Sequence, residues 1–196
     1  DDATIEKTVA ALRQNGIDAL VVENGAEAKM KVLEMIPKGA EVMDMTSVTL
    51  NDTGIAQEIN ESGKYISVRK TLTAMDPKTQ SSEKQKLGAA PEWVVGSVHA
   101  VTEDGKVMVV SNTGSQLPAY ASGSQHVVWV VGAQKLVKND EDGMKRIYEY
   151  VLPLESERAR KAYGVAGSNV SKMLVVNKEV NPSRITMIIV KEKLGF

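Results

Sequence analysis

Two polar loops carry the residue types best suited to chemistry in this chain. Met45-Thr46-Ser47-Val48-Thr49-Leu50 follows an apolar run of strand length and precedes a helical pattern. Ser111-Asn112-Thr113-Gly114-Ser115-Gln116 has the same setting further along. Each brings hydroxyls and backbone N–H groups to the start of a helix, where unpaired N–H groups and the dipole favour an anion. Gly114 lets the backbone come close or take a positive φ. The expected ligand-binding residues are Thr46, Ser47 and Thr49 from the first loop, and Asn112, Thr113, Gly114, Ser115 and Gln116 from the second. Either loop alone reads more simply as a helix cap. Two in one sheet raise the expectation of a pocket for a small anionic metabolite.

The titratable groups near these loops are few. His99 lies on an apparent strand among apolar neighbours, and Glu103 opens the turn Glu103-Asp104-Gly105. A general base at a pocket mouth is the sharper reading of either. A structural histidine and a solvated turn are the plainer ones. His126 opens an apolar strand and reads as structural. Arg69, Lys70 and Lys135 are cations that could meet a carboxylate or phosphate. The chain has 2 histidines and no cysteine, which argues against a transition-metal site, iron–sulfur ligation and thiol catalysis. Neither loop matches a nucleotide-binding fingerprint. No metal and no cofactor are expected.

Composition narrows the partners. With 24 basic and 25 acidic side chains, the net charge of -1 gives no field to gather nucleic acid or an anionic membrane. No apolar run approaches the length of a membrane span. The lack of cysteine fits a reducing compartment, and a cytoplasmic protein is expected. Aromatic residues are only 4%, so aliphatic side chains and methionine must fill most of the core. The opening Asp1-Asp2-Ala3-Thr4 lacks a start Met, so some leading residues are expected to be missing.

The elements that must position these loops alternate between helix and strand. Ile5, Val9 and Leu12 recur at helical spacing before Asn15-Gly16, and Ile17–Val22 has strand length. Ala26, Met30, Leu33 and Ile36 stripe a second helix, closed by Pro37 and Gly39. Glu41–Met45 reads as a strand, with Thr46 or Ser47 capping a helix that runs towards Gly63. Tyr65–Val68 is a short strand. Residues 69–92 are polar and weakly anchored, with Asp76 and Pro77 opening a surface helix. That segment reads as a solvated face or as a lid over a site. Trp93–Thr102 and Lys106–Ser111 flank the Glu103–Gly105 hairpin turn. A short helix starts near Leu117 and Pro118, and Gln125–Val131 is a strongly apolar strand. Met144, Ile147, Tyr148 and Val151 stripe one helix, and Glu155–Tyr163 forms a second after Pro153. Met173–Val176 and Ile185–Val190 read as a closing pair. The pattern predicts a single α/β domain over residues 1–196: a mainly parallel sheet with helices on both faces and some antiparallel strands.

Five segments carry a resemblance to a known family. They are Met45–Leu50, Gly96–Gly105, Ser111–Pro118, Val130-Val131-Gly132-Ala133-Gln134-Lys135-Leu136-Val137, and the charged stretch Leu154–Gly164. In this order they resemble the LUD-domain (lactate-utilisation, LutC/YkgG-like) family. The resemblance implies a fold similar to ribose-5-phosphate isomerase, glucosamine-6-phosphate deaminase and the CoA transferases. It implies a part in bacterial lactate oxidation to pyruvate, beside partner proteins that hold iron–sulfur clusters. The isomerases of this fold use a carboxylate and a lysine, where this chain has His99 and the lysine-free start Ser111-Asn112. Glu103 is the nearest residue to a CoA-transferase nucleophile. Three readings follow. The first is a non-redox accessory or small-anion-binding subunit in 2-hydroxy-acid utilisation. The second is a stand-alone enzyme acting on an acyl-CoA, sugar-phosphate or folate-like anion, and the third an assembly scaffold without catalysis. Homodimerisation is the expectation for such a fold.

Overall fold

A computed structural model describes residues 1–196. Its centre is a six-stranded, wholly parallel sheet built from β1 (Asp18–Val22), β2 (Glu41–Asp44), β3 (Ile66–Ser67), β4 (Trp93–Gly96), β7 (His126–Gly132) and β10 (Ile185–Val190). The strand order is β1-β10-β7-β4-β2-β3. A second, four-stranded sheet has the order β8-β5-β6-β9, from β5 (Ala100–Thr102), β6 (Val107–Ser111), β8 (Leu136–Val137) and β9 (Lys172–Val176). Here β6 runs antiparallel to β5 and β9, while β8 lies parallel to β5.

The central strands are apolar on both faces because both faces are covered. In β7, Val127, Trp129 and Val131 point to one side, and Val128 and Val130 to the other. β10 divides in the same way, with Ile185, Met187 and Ile189 against Ile188 and Val190. The first face packs on α1 (Asp2–Gln14), on α5 (Val68–Ala74) and on the inner side of the second sheet through Val101, Val107 and Val109. The other face packs on α2 (Gly25–Met35), α3 (Val48–Asp52) and α4 (Ile55–Glu61). One continuous core thus joins the two sheets.

Several sequence expectations are corrected. In α2 the buried positions are Gly25, Ala28 and Val32, with Ile36 just beyond, while Met30 is 56% exposed. The small residues, not Met30, meet the sheet. The helix expected to run from Ser47 to Gly63 breaks at Gly54, whose φ of 68° ends α3 and starts α4. Asp76 and Pro77 open a turn, in which Asp76 accepts from the Lys78 N–H, and α6 starts only at Ser81 (Ser81–Ala89). From Asp140 the chain is continuously helical to Tyr163: α7 (Asp140–Arg146), a wide turn over Ile147–Val151 and α8 (Leu152–Tyr163). The wide turn absorbs Pro153, which lacks an N–H. Met173–Val176 and Ile185–Val190 do not pair with each other. β9 joins β6 in the second sheet, and β10 lies between β1 and β7 in the first.

The most consequential correction lies in Trp93–Thr102. It is not one strand. β4 stays in the first sheet and β5 belongs to the second, with Ser97-Val98-His99 as the crossing between them. The chain returns to the first sheet between β6 and β7 and leaves it again after β7, where a short helical turn, Ala133–Lys135, leads into β8.

Candidate functional site

The carboxyl ends of β2, β4 and β7 lie side by side, in register Asp44 with Val95 and Gly96 with Trp129. In open α/β sheets, ligands bind beyond such strand ends. Here the three exits meet at a cleft of about 520 Å³. Thr46, Ser47 and Thr49 follow β2, Ser97 and His99 follow β4, and Lys135 follows β7. The loop Ser111–Gln116 beyond β6 lines another part of the cleft, and α8 with residues 165–170 completes the wall.

Gly96 shows how tightly this end is packed. A Cβ there would lie 1.7 Å from the Tyr120 hydroxyl oxygen. Tyr120 stands edge-on to Trp129, ring centres 5.4 Å apart, behind the cleft. The Tyr120 hydroxyl and Trp129 Nε1 are both buried without a partner in the fold.

Lys135 is the unusual residue. Its side chain is extended into the protein and only 2% of the residue is exposed. Nζ donates to Thr49 Oγ1 at 3.1 Å and to Ser97 Oγ at 3.0 Å. No carboxylate lies within ion-pair distance, whereas the other cations of the cleft are matched. Arg69 Nε meets both Asp44 carboxylate oxygens at 3.0 Å, and Arg158 holds Glu155 at 2.6 Å. Burial, reinforced by the positive charge of Arg146 and only partly opposed by Asp52, pushes the Lys135 ammonium down to about 7. Burial also raises the Asp44 carboxyl, against the pull of Arg69. Arg146 has no acidic partner. It donates through Nε to the His99 carbonyl at 2.9 Å, and its Nη2 is buried without an acceptor.

His99 lines the cleft, but as a donor. Its Nδ1 accepts from the Val110 N–H at 3.1 Å. Burial, with the charges of Lys135 and Arg146, pushes the imidazolium down to about 3. The ring is therefore neutral, its proton sits on Nε2, and its basic nitrogen is already occupied. In this arrangement neither ring nitrogen is free to accept a proton from a ligand.

Glu103 does not line the cleft. It opens the turn after β5 and pairs with Lys7 of α1 at 2.6 Å. It is corrected from a base at the pocket mouth to a partner of α1. Thr46, Ser47, Thr49, Asn112, Thr113, Ser115 and Gln116 do line the cleft, and Gly114 alone of the expected ligand-binding residues does not. Several of these side chains already have partners. Thr46 Oγ1 receives Arg69 Nη2, Ser47 caps Leu50, and Thr49 donates to the Leu194 carbonyl. Gln116 donates to the Val110 carbonyl, while Asn112 accepts from Ser171. The helix-end rationale fails for both loops. α3 has 5 residues, and the turn after the second loop, Ala119–Gly123, also has 5. Such short helices have little dipole to offer. Of residues 69–92 only Arg69 reaches the cleft, so the covering wall is α8 and its following loop rather than the polar segment. His126 stacks on Trp93 at the opposite ends of the strands, ring centres 4.1 Å apart.

Nothing local in the sequence marks Ser97 as a site residue or sets Lys135 apart from Arg69 and Lys70. The one available signal was position. Lys135 comes four residues after Val131, the end of an apolar run that must be a central strand, and so beyond its carboxyl end.

Together the fold and cleft define an α/β protein with a donor-rich site across the carboxyl edge of a parallel sheet. The chain belongs to the LUD domain family: the family model matches residues 5–190. That places it in a family associated in general terms with lactate utilisation. Among solved structures it is similar to a DUF162-family protein from Deinococcus radiodurans, with a TM-score of 0.61 at 9% identity. The likeness covers 96% of this chain and 97% of that one, and at this identity it speaks to fold alone. No individual curated protein matches the chain. No helix is long and apolar enough to cross a membrane.

Proposed function

We propose that this protein binds a small carboxylate of the 2-hydroxy-acid or 2-oxo-acid class, as a non-redox component of lactate utilisation. The observation that carries this reading is Lys135, a buried cation whose only partners are two hydroxyls at the floor of a cleft. A buried charge without a counter-charge is costly, and an incoming anion removes that cost. The His99 Nε2–H and the hydroxyls of Ser97 and Ser115 add neutral donors in the same cleft. With no cysteine the chain offers no thiolate to a cluster, so electrons would pass through partner proteins.

Calorimetric titration with lactate, pyruvate and inorganic phosphate tests the reading. Binding of a carboxylate, weakened about 10- to 100-fold by Lys135→Met, is the expected result, since a charge-assisted hydrogen bond contributes about 1.5–3 kcal/mol. Affinity unchanged by Lys135→Met would refute it. The size of the cleft favours a second reading, an enzyme for a larger anion such as an acyl-CoA, a sugar phosphate or a folate-like compound. Ile147, Val151, Leu152 and Val165 give the wall an apolar stretch that lactate would leave empty. Preference for such a compound over lactate in the same titration would select it.

A further inference from the structure

We propose that Lys135 forms a covalent imine with the carbonyl carbon of a 2-oxo acid held in this cleft. The proposal rests on the carboxylate-binding reading above and specifies the substrate class of the same site.

Three features of the geometry lead to it. First, Lys135 is held by hydroxyls rather than by an acid. A carboxylate of the protein fixed beside it would hold the amine as ammonium throughout, with no lone pair to offer. Thr49 and Ser97 accept its N–H groups and leave the nitrogen free to lose a proton. Second, the two hydroxyls are not equivalent. Thr49 Oγ1 directs its own proton to the Leu194 carbonyl at 3.3 Å, so it can only accept from Nζ. Ser97 Oγ has no acceptor in the fold and lies in the cleft lining, so its proton is available to a carbonyl oxygen of the ligand. Third, Lys135 is the one cation of the cleft able to become a nucleophile, because the guanidinium groups of Arg69 and Arg158 do not deprotonate. The burial that holds the Lys135 amine down to about 7 leaves a substantial neutral fraction at physiological pH.

The step balances without an oxidant or reductant. The Nζ lone pair attacks the carbonyl carbon, and the C=O π bond opens as its oxygen takes a proton presented by Ser97. Ser97 is reprotonated by the attacking nitrogen, giving a carbinolamine. Loss of the second nitrogen proton with the hydroxyl expels water and leaves the C=N bond. The 2-oxo acid and the lysine amine thus yield one imine and one water. The carboxylate next to the carbonyl faces the neutral donor His99 and the surrounding hydroxyls. A 2-hydroxy acid fits the same donors but has no carbonyl, so it binds without reacting.

Pyruvate and lactate are the probes. The full chain is incubated with pyruvate and sodium cyanoborohydride, and adducts are mapped by peptide mass spectrometry. Binding of both acids is measured in parallel by calorimetry. The expected result is one reduced adduct on Lys135, at least about tenfold above any surface lysine, as a pre-positioned nucleophile requires. Excess lactate suppresses it, and Lys135→Met, shown to be folded by its thermal melt, lacks it. At saturating pyruvate, Ser97→Ala slows adduct formation, because the carbonyl oxygen loses the proton that Ser97 presents. If both acids bind and labelling is absent, or is spread equally over surface lysines and persists in Lys135→Met, the imine is refuted and the binding reading stands. If neither acid binds and no adduct forms, both fall.

Discussion

Replacing Lys135 by methionine is expected to stabilise the protein while disabling its cleft. The amine is held near 7 against an ordinary value of 10.5. At about 1.4 kcal/mol per tenfold, that difference corresponds to roughly 4–5 kcal/mol of folding free energy lost to the buried charge. The sign follows from proton counting. Between about pH 7 and pH 10.5 the unfolded chain keeps a proton on this lysine that the folded chain sheds. Wild-type stability therefore rises with pH across that window, and the penalty is complete below it. Methionine fills a similar volume without the charge but forfeits the bonds to Thr49 and Ser97, at a cost of about 1–2 kcal/mol. The net gain is about 3 kcal/mol at pH 7, or roughly 7 °C in Tm for a chain of this size. Near pH 10 the gain vanishes, and the lost hydrogen bonds leave the variant level or slightly worse. Urea unfolding and thermal melts of both proteins at one-unit steps from pH 6 to pH 10 give the comparison. Parallel pH profiles, or a Lys135→Met variant less stable at pH 7, would refute the reasoning.

Two further outcomes test the packing around the cleft. The His99 ring should keep constant imidazole NMR shifts from pH 8 down to pH 5, because its imidazolium is pushed down to about 3; a transition in that range would remove it as a neutral donor. Gly96→Ala should cost about 2–3 kcal/mol by forcing Tyr120 aside, and Tyr120→Phe should recover part of it in the double variant, since the clash with the hydroxyl disappears while the ring stays close. Tyr120→Phe alone should be neutral or stabilising by about 1 kcal/mol, because that hydroxyl is buried without a partner. Urea denaturation of the three variants measures both effects, and additive losses would contradict the contact.

What was legible in the sequence was local. The apolar runs of β1, β2, β7 and β10 and the Glu103–Gly105 turn could be read directly, since each depends on neighbours along the chain. The break in Trp93–Thr102 could not. Val94, Val95, Val98, Ala100 and Val101 are all buried, so the apolar pattern continues through the crossing although the pairing partner changes. The separation of β9 from β10 was hidden for the same reason, since their partners β6 and β7 lie far back in the chain. Both polar loops, which line one cleft, are legible because hydroxyl-rich loops after apolar runs are a sequence signal. Lys135 carries no local mark because the burial of a lysine is a tertiary property. Thr49, Ser97 and the carbonyl of Leu194 come from three distant segments. The role of Glu103 is hidden in the same way, since a turn carboxylate gives no hint of the Lys7 ammonium across the fold.

The two crossings from the first sheet to the second, Ser97–His99 and Ala133–Lys135, also bring Ser97, His99 and Lys135 to the cleft. The site therefore exists only while both sheets remain docked. A form in which the smaller sheet came loose would keep the parallel core yet have no site at all. A molecule bound across the crossings draws part of its affinity from that docking and, by linkage, strengthens it in return. Occupancy of the cleft is thus also a measure of how far the protein's two halves are joined.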